Sequence, residues 1–151
     1  MLMSTRGRYG ARVMLELALR YEEGSIPLKD IAEKQEISAK YLVQIVTALK
    51  AAGLVMSERG SGGGYSLVRP PSQITLSEVI RAMEGSIALV NCADDPSLCY
   101  RGAGDCAMRD VWVEIKSAMD TILGSKSFQA LAENQRRKDK VRKAHAPPST
   151  H

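Results

Sequence analysis

Histidine is scarce in this sequence, and the positions of the two histidines limit its chemistry. His145 and His151 both lie close to the C-terminus of the 151 residues. A cysteine nucleophile is activated by an adjacent base, most often a histidine, or by a lowered pKa. Because no histidine precedes residue 145, we do not expect an enzyme that uses a cysteine nucleophile.

Long apolar runs are also missing. No stretch approaches the roughly 18 consecutive apolar residues of a membrane span, and residues 1–12 lack the apolar core and cleavage site of a secretory signal. Hydrophobic residues make up 44% and charged residues 25% of the chain, the balance of an ordinary folded domain. We therefore expect a cytoplasmic protein with one globular domain, or a small domain with an extension.

Cysteine is rare and odd in number. Cys92, Cys99 and Cys106 lie with six residues between neighbours. An odd count in a cytoplasmic chain argues against a disulfide framework and favours metal or redox chemistry. The spacing does not match the tight cysteine pairs of structural zinc sites, which disfavours mononuclear zinc. From the pattern alone, three structural or incidental cysteines remain an equal alternative to a metal site.

Charge is unevenly distributed along the chain. Residues 1–69 carry ten Lys and Arg against seven Asp and Glu, whereas residues 70–135 carry five against nine. Residues 136–143 then hold six basic residues and one acidic residue. A basic face suits a polyanion such as DNA. The stretch from 136 to 151 is predicted to be a solvated, disordered tail whose role stays open.

The first half of the chain predicts three helices and a hairpin. Apolar spacing predicts helices over residues 10–21, 28–35 and 39–52, and short strands over residues 54–57 and 65–68 flank a glycine-rich tip. Helix, helix, turn, helix and hairpin is the order of a winged helix-turn-helix domain. A small α+β domain with no nucleic-acid role is the alternative.

The second half predicts a capped helix, a loop and a longer helix. Thr75 and Glu78 fit a capping box, and Gly85 ends the helix that the box begins. A polar loop with the cysteines follows. Beyond it, apolar residues recur at spacings of four and three, which predicts a heptad seam. The seam consists of Met108, Trp112, Ile115, Met119 and Ile122.

The third predicted helix has the residues to read DNA. Ser38, as its N-cap, would offer a hydroxyl beside exposed amides that favour phosphate. Lys40 can reach phosphate or guanine, and Gln44 can form two hydrogen bonds with adenine. Tyr41 lies at the edge of this outward face. The buried stripe of the helix is predicted to be Leu42, Ile45, Val46 and Leu49.

The glycine-rich tip is the second candidate DNA contact. Gly60 and the glycines at 62–64 form a connection with little side-chain bulk, which can approach a sugar–phosphate backbone closely. Arg59 is placed to enter a minor groove. A loose hairpin is the alternative, and a phosphate-binding P-loop is excluded because no Gly-Lys-Ser/Thr sequence follows the glycines.

Four motifs occur in one order along the chain. They are Ser4–Gly10, Ile37–Leu42, Ala52–Val55 and Arg59–Tyr65. Together they closely resemble the Rrf2 family of bacterial transcription regulators, and the resemblance extends through the cysteine loop to Trp112. It implies a homodimer that reads double-stranded DNA, with Ser38, Lys40, Tyr41, Gln44, Arg59 and Gly60 at the interface. Two reading helices suit a palindromic operator.

The resemblance also bears on the cysteines. IscR-like members of the family carry three cysteines in this loop, which implies an iron–sulfur cluster held by Cys92, Cys99 and Cys106. We expect the 2Fe–2S type, with a four-iron cluster still open. A metal-free regulator of the same fold that senses thiol chemistry or a partner protein is the alternative.

Two departures from the family stand out. Arg109 lies where IscR-like proteins place a histidine ligand, and it cannot coordinate iron. Asp105, Asp110 and a group from the partner subunit remain candidates for the fourth ligand. Glu36 lies where the family usually has glycine, which would cost about 1 kcal/mol if the turn requires a positive φ.

The predicted organisation is therefore mainly α with a small β-hairpin. We expect a winged helix-turn-helix DNA-binding domain over residues 1–85, a cysteine sensor loop over 86–106, a dimerisation helix and a short C-terminal helix over 107–135, and the basic tail over 136–151.

Overall fold

A computed structural model describes residues 3–147 of the chain. The predicted mainly α fold with one hairpin is confirmed. The elements are α1 (Thr5–Leu19), α2 (Leu28–Gln35), α3 (Ala39–Ala51), β1 (Val55–Glu58), β2 (Gly64–Leu67), α4 (Leu76–Glu84), α5 (Ala107–Gly124) and α6 (Phe128–Ala144). Within residues 3–147, the helices are too short or too polar to cross a lipid bilayer.

The turn between α2 and α3 adopts a positive φ at the position where the family resemblance implies glycine. Glu36 has a φ of 55°, and across residues 3–147 it is the one non-glycine residue with a positive φ. Ser38 then caps α3, because its Oγ accepts a hydrogen bond from the Tyr41 amide at 3.2 Å. The predicted buried stripe of α3 is confirmed, with all four side chains fully buried.

The hairpin packs against the segment that leads into α2. Its register pairs Val55 with Leu67 and Glu58 with Gly64, and Ile26 adds a single bridge to Tyr65. A Cβ atom on Gly64 would lie 2.2 Å from the Ile26 carbonyl oxygen. Glycine is therefore required where the wing joins the body of the domain.

Helix α1 begins earlier than the predicted start at residue 10. Ser4 caps it, with its Oγ accepting a hydrogen bond from the Gly7 amide at 3.0 Å. Gly10 lies inside the helix and is buried, and a Cβ atom there would lie 2.6 Å from Cγ of Met83. This glycine serves the close packing of α1 on α4, which the sequence does not reveal.

The C-terminal helix α6 is anchored in the core at its N-terminal end. Phe128 and Ala132 are each 1% exposed and join the cluster built by α1, α3 and α4. The Phe128 amide donates to the Ile74 carbonyl at 2.9 Å, beside the capping box that begins α4. The capping box predicted at Thr75 and Glu78 is confirmed.

The predicted short C-terminal helix and disordered tail are wrong as far as residue 144. One 17-residue helix continues through most of the basic stretch. Ser127 caps it, and packing at Phe128 and Ala132 overcomes the nucleation cost. Propagation is then favourable, because Lys and Arg are good helix formers and cations in the last turn stabilise the helix dipole. His151 lies outside the described residues.

Candidate nucleic-acid interface and cysteine loop

Helix α3 presents the polar face that its sequence predicts. Lys40 and Gln44 are exposed, and Tyr41 is half-buried at the edge of the face. The Thr47 hydroxyl, on the same side, donates to the Val43 carbonyl at 2.6 Å. Lys40 and Gln44 therefore have the freedom to reach a ligand, while the hydroxyl of Thr47 is already used within the helix.

An arginine on α1 braces the turn that precedes α3. The Nε of Arg12 donates to Oε1 of Gln35 at 3.1 Å, and its terminal nitrogen donates to the Gln35 backbone carbonyl. Gln35 is the last residue of α2 and precedes Glu36, the residue with the left-handed conformation. We call these two hydrogen bonds from Arg12 to Gln35 the brace. They hold the turn that sets the direction of α3.

Gln35 and Arg12 each make a further contact. Gln35 donates from Nε2 to Oε2 of Glu16 at 3.0 Å, and Glu16 is buried at 4% exposure. On the other side, the Arg12 guanidinium lies 5.0 Å from the centre of the Tyr9 ring. Tyr9 in turn contacts Tyr41 edge to face, with ring centres 5.7 Å apart. One set of contacts thus connects α1 with the end of α2, and the other connects α1 with the N-terminal end of α3.

The wing tip is exposed and shaped by glycine. Gly60 and Gly62 adopt φ values of 96° and 79°, and the Gly63 amide donates to the Gly60 carbonyl at 3.0 Å. Arg59, at the base of this turn, is exposed. A ligand can approach both the Arg59 side chain and the backbone of the tip.

The cysteine loop is more ordered than a polar connection requires. Cys92 lies in a 3-10 turn over Asn91–Ala93, Cys99 follows a second turn over Pro96–Leu98, and Cys106 is the N-cap residue of α5. Cys106 is buried and the other two are half-buried. The three cysteines therefore lie in or beside three successive helical elements.

Two of the three cysteines lie near each other. The Arg109 amide, in the first turn of α5, lowers the pKa of the Cys106 thiol, while burial of the thiol acts in the opposite direction. A hydrogen bond between the Cys99 and Cys106 side chains also lowers this pKa. The lowered pKa makes the Cys106 thiol easier to ionise than a free cysteine, and Cys99 is the cysteine beside it.

Cys92 is held through its backbone instead. The Nε of Arg109 donates to the Cys92 carbonyl at 2.8 Å. Nearby, the Lys116 ammonium lies 3.4 Å from a carboxylate oxygen of Asp94. Ser86 and Lys116 lower the pKa of this carboxyl group, with the hydrogen bond from Ser86 the larger cause. The first part of the loop is thus fastened to α5 by two side chains.

Cysteine thiols are the usual ligands of iron–sulfur clusters, so the three cysteines have the right chemistry for this group. In the structure, however, only Cys99 and Cys106 lie near each other. Over the described range 3–147, no group of three His, Cys, Asp or Glu side chains is arranged to hold a metal ion. Asp105 and Asp110, the candidate fourth ligands, are exposed. Binding of a cluster would therefore require Cys92 to approach the Cys99–Cys106 pair.

Helix α5 leaves its apolar seam partly uncovered. Every residue of this helix keeps some exposure, and Met108 and Ile122 are 54% and 59% exposed. Trp112, Ile115 and Met119 are half-buried. An apolar face of this length has room for a partner.

Sequence reasoning missed the residues that hold these sites in place. The sequence predicts Tyr41 at the interface but indicates no role for the Tyr9 or Arg12 side chain, and it identifies Arg109 only as a residue that cannot coordinate iron. The spacing of Tyr9 and Arg12 places them on one face of α1, which is a usable signal. Their partners in α2 and α3 are known only from the tertiary structure.

Comparison with known proteins gives a consistent assignment. The family model for Rrf2, described as an iron-dependent transcriptional regulator, matches residues 3–134. The transcriptional regulator CymR of Bacillus subtilis is 40% identical over 132 residues, which cover 87% of this chain and 90% of CymR. The regulator IscR of Xenorhabdus nematophila is 38% identical over 135 residues, covering 89% of this chain and 81% of IscR.

Solved structures agree with the sequence matches. The structure of B. subtilis CymR, described as a global cysteine regulator, has a TM-score of 0.75 at 39% identity and covers 89% of this chain and 98% of its own. The structure of T. potens IscR has a TM-score of 0.72 at 32% identity and covers 99% of this chain and 94% of its own. Residues 3–134 therefore fold as these regulators do.

Proposed function

Because the chain belongs to the Rrf2 family of transcription regulators, we propose that it is a homodimer that binds a palindromic operator and that its three-cysteine loop is the sensor. Family membership itself makes the chain a DNA-binding transcription regulator rather than an enzyme. The proposal concerns what lies beyond this: the residues that read DNA, the dimer contact and the signal.

We assign DNA reading to α3 and the wing. Gln44 would read a base edge in the major groove, with Lys40 and Ser38 on nearby phosphates and Tyr41 at the rim. Arg59 and the backbone at Gly60 would follow the minor groove beside it. The exposure of Lys40, Gln44 and Arg59 supports this assignment.

We assign the dimer contact to α5. Its apolar seam is the partly uncovered face described above, and a second copy of the same helix would bury it. Two copies would present two α3 helices to half-sites about 34 Å apart, one turn of DNA. Replacing Ile115 and Met119 by Glu would place charge in the seam and is expected to give monomers with little operator binding. A double variant that still sediments as a dimer would contradict this contact.

We propose an iron–sulfur cluster as the signal, held by Cys92, Cys99 and Cys106. The observation that carries the proposal is that three thiols occupy one loop, fastened to α5 by Arg109 and Lys116. A bound cluster would connect the three cysteines, and its presence would depend on the supply of iron and on its oxidation state. The loop connects α4 to α5, so its conformation affects the position of the dimer helix relative to the DNA-binding domain.

A thiol sensor without metal is the second candidate, and one observation favours it. Cys99 lies beside Cys106, whereas Cys92 is bound by Arg109 through its backbone carbonyl. With hydrogen peroxide as oxidant, these two thiols would lose two electrons and two protons to form a disulfide, and the peroxide would leave as two waters. The similarity to B. subtilis CymR, described as a global cysteine regulator, is in keeping with this candidate.

Iron and sulfide analysis separates the two candidates. The cluster proposal expects anaerobically purified or reconstituted protein to contain both elements and to absorb visible light. Replacing any one of the three cysteines by Ala should remove this absorbance, whereas Ser97→Ala, in the same loop, should not. Protein without iron or sulfide after reconstitution would overturn the cluster and leave the Cys99–Cys106 pair as the sensor.

A further inference from the structure

The second half of α6 is a strongly cationic helix at the surface. We call residues 136–144 the basic arm. Its cations are Arg136, Arg137, Lys138, Lys140, Arg142 and Lys143. All six are exposed, whereas Asp139, the acidic residue of the arm, is half-buried and accepts a hydrogen bond from Gln135 at 3.0 Å. The surface of the arm is therefore almost entirely positive.

The arm follows the part of α6 that packs against α1. At the start of α6, Phe128 and Leu131 line one shallow pocket together with Ala11 and Leu15 of α1. Further along, Arg136 donates to the carbonyl oxygen of Leu19, the last residue of α1, at 3.1 Å. The two helices thus run in the same direction, and the eight residues after Arg136 continue α6 for about 12 Å.

The arm carries unrelieved repulsion. Arg136 and Lys140, and likewise Lys138 and Arg142, are four residues apart on the helix, a spacing at which like charges destabilise it. The helix dipole favours only the cations of the last turn. A polyanion would remove this repulsion on binding. Cations on more than one side of the helix suit a continuous array of phosphates better than a single carboxylate.

We propose that the basic arm binds the phosphate backbone of DNA adjacent to the operator. The inference rests on the proposed DNA-binding function, because operator binding brings a duplex to the same protein. Duplex DNA carries one negative charge per roughly 1.7 Å of its axis, so the length of the arm corresponds to several phosphates. Contacts of this kind add affinity and salt dependence but no sequence preference.

A charge-removing variant and a charge-preserving variant test the arm. The first is Arg137→Gln, Lys140→Gln and Arg142→Gln, and the second is Arg137→Lys, Lys140→Arg and Arg142→Lys. Arg136 is left intact because it bonds to Leu19. Binding is measured at several KCl concentrations to the duplex that wild-type protein selects from a random-sequence pool, and to a random duplex. Circular dichroism verifies that both variants keep their helix content.

The logarithm of the association constant falls linearly with the logarithm of the salt concentration, with a slope of about −0.9 for each phosphate contact. The charge-removing variant should make this slope shallower by up to about 2.7, the value for three lost contacts. The loss should be equal on selected and random duplexes, and the charge-preserving variant should match wild type. Trimming roughly 10 base pairs of flanking DNA, one helical turn, should shrink the difference on the selected duplex.

A failure of the proposed operator binding and a failure of the inference about the arm would give different results. If wild-type protein selects no sequence, the proposed operator function fails, while the random duplex still reports on the arm. If the selected duplex binds tightly but the charge-removing variant keeps the wild-type salt dependence on every duplex, the inference about the arm is overturned. An acidic protein surface would then be the occupant that its charge best fits.

Discussion

Arg109 holds the first cysteine of the loop against the helix that the third cysteine begins. Its Nε donates to the Cys92 carbonyl at 2.8 Å, while Cys106 is the N-cap residue of the same helix. The position at which the family resemblance implied a ligand therefore carries a structural link. The loop is constrained at both ends even without a metal.

The first prediction concerns this link. Arg109→Ala should increase amide hydrogen exchange around Cys92 about tenfold, because a hydrogen bond to a charged group contributes roughly 1.5–3 kcal/mol and this one is partly exposed. The thermal midpoint should barely change, since the loop lies outside the core. Arg101→Ala, in the same loop and with the same loss of charge, is the control. Equal exchange in both variants would show that the Arg109 contact does not order the loop.

The second prediction concerns the contact between Arg12 and the turn that precedes α3. Arg12→Lys keeps the charge but loses the two-pronged contact with Gln35, and should weaken operator binding about threefold to tenfold, in line with roughly 0.5–1.5 kcal/mol for a hydrogen bond. Arg8→Lys on the same helix should have little effect. Titration of a labelled operator measures both. If the two variants lose equal affinity, Arg12 does not act by positioning α3.

The third prediction concerns the strained turn. Glu36→Gly should raise the free energy of unfolding by about 0.5–1 kcal/mol, because glycine adopts the observed left-handed conformation without the Cβ penalty. Its greater freedom in the unfolded chain offsets part of the gain. Lys34→Gly, inside α2, should destabilise the protein by about 1 kcal/mol. Urea denaturation measures both, and a destabilised Glu36→Gly variant would show that the turn relies on its glutamate.

The fourth prediction separates base reading from charge attraction. Gln44→Ala should cost roughly 1–3 kcal/mol on the preferred operator and little on random DNA. Thr47→Ala on the same face is a matched control, because its hydroxyl already bonds to the Val43 carbonyl. Competition binding with both DNAs gives the two values. Equal losses on operator and random DNA for Gln44→Ala would remove this residue from the reading set.

The sequence predicts the parts of this fold that local rules govern. The cap at Ser38, the capping box at Thr75 and Glu78, and the bounds of α2 depend on residues within a few positions of one another. The start of α1 was misplaced because Gly10 looks like a helix boundary until its packing against Met83 is seen.

Long-range contacts account for what the sequence does not reveal. Helix α6 continues through a stretch of like charge because Phe128 is anchored against α1 and α4, far away in the chain. Likewise, the contact between Tyr9 and Tyr41 and the bond from Arg109 to Cys92 join residues whose proximity no spacing rule implies. The candidate residues were accessible to sequence reasoning, but the contacts that position them were not.

The central claim is that the cysteine loop controls DNA binding. The most direct test is to measure operator affinity in parallel for wild-type protein and for a triple variant. The triple variant carries Cys92→Ala, Cys99→Ala and Cys106→Ala. Wild-type protein should change its affinity about 5-fold to 150-fold between the anaerobically reconstituted and oxidised states, the range of a coupling free energy of roughly 1–3 kcal/mol. The triple variant should fold normally and show one affinity under both conditions. Identical affinities for wild-type protein in the two states would contradict the account.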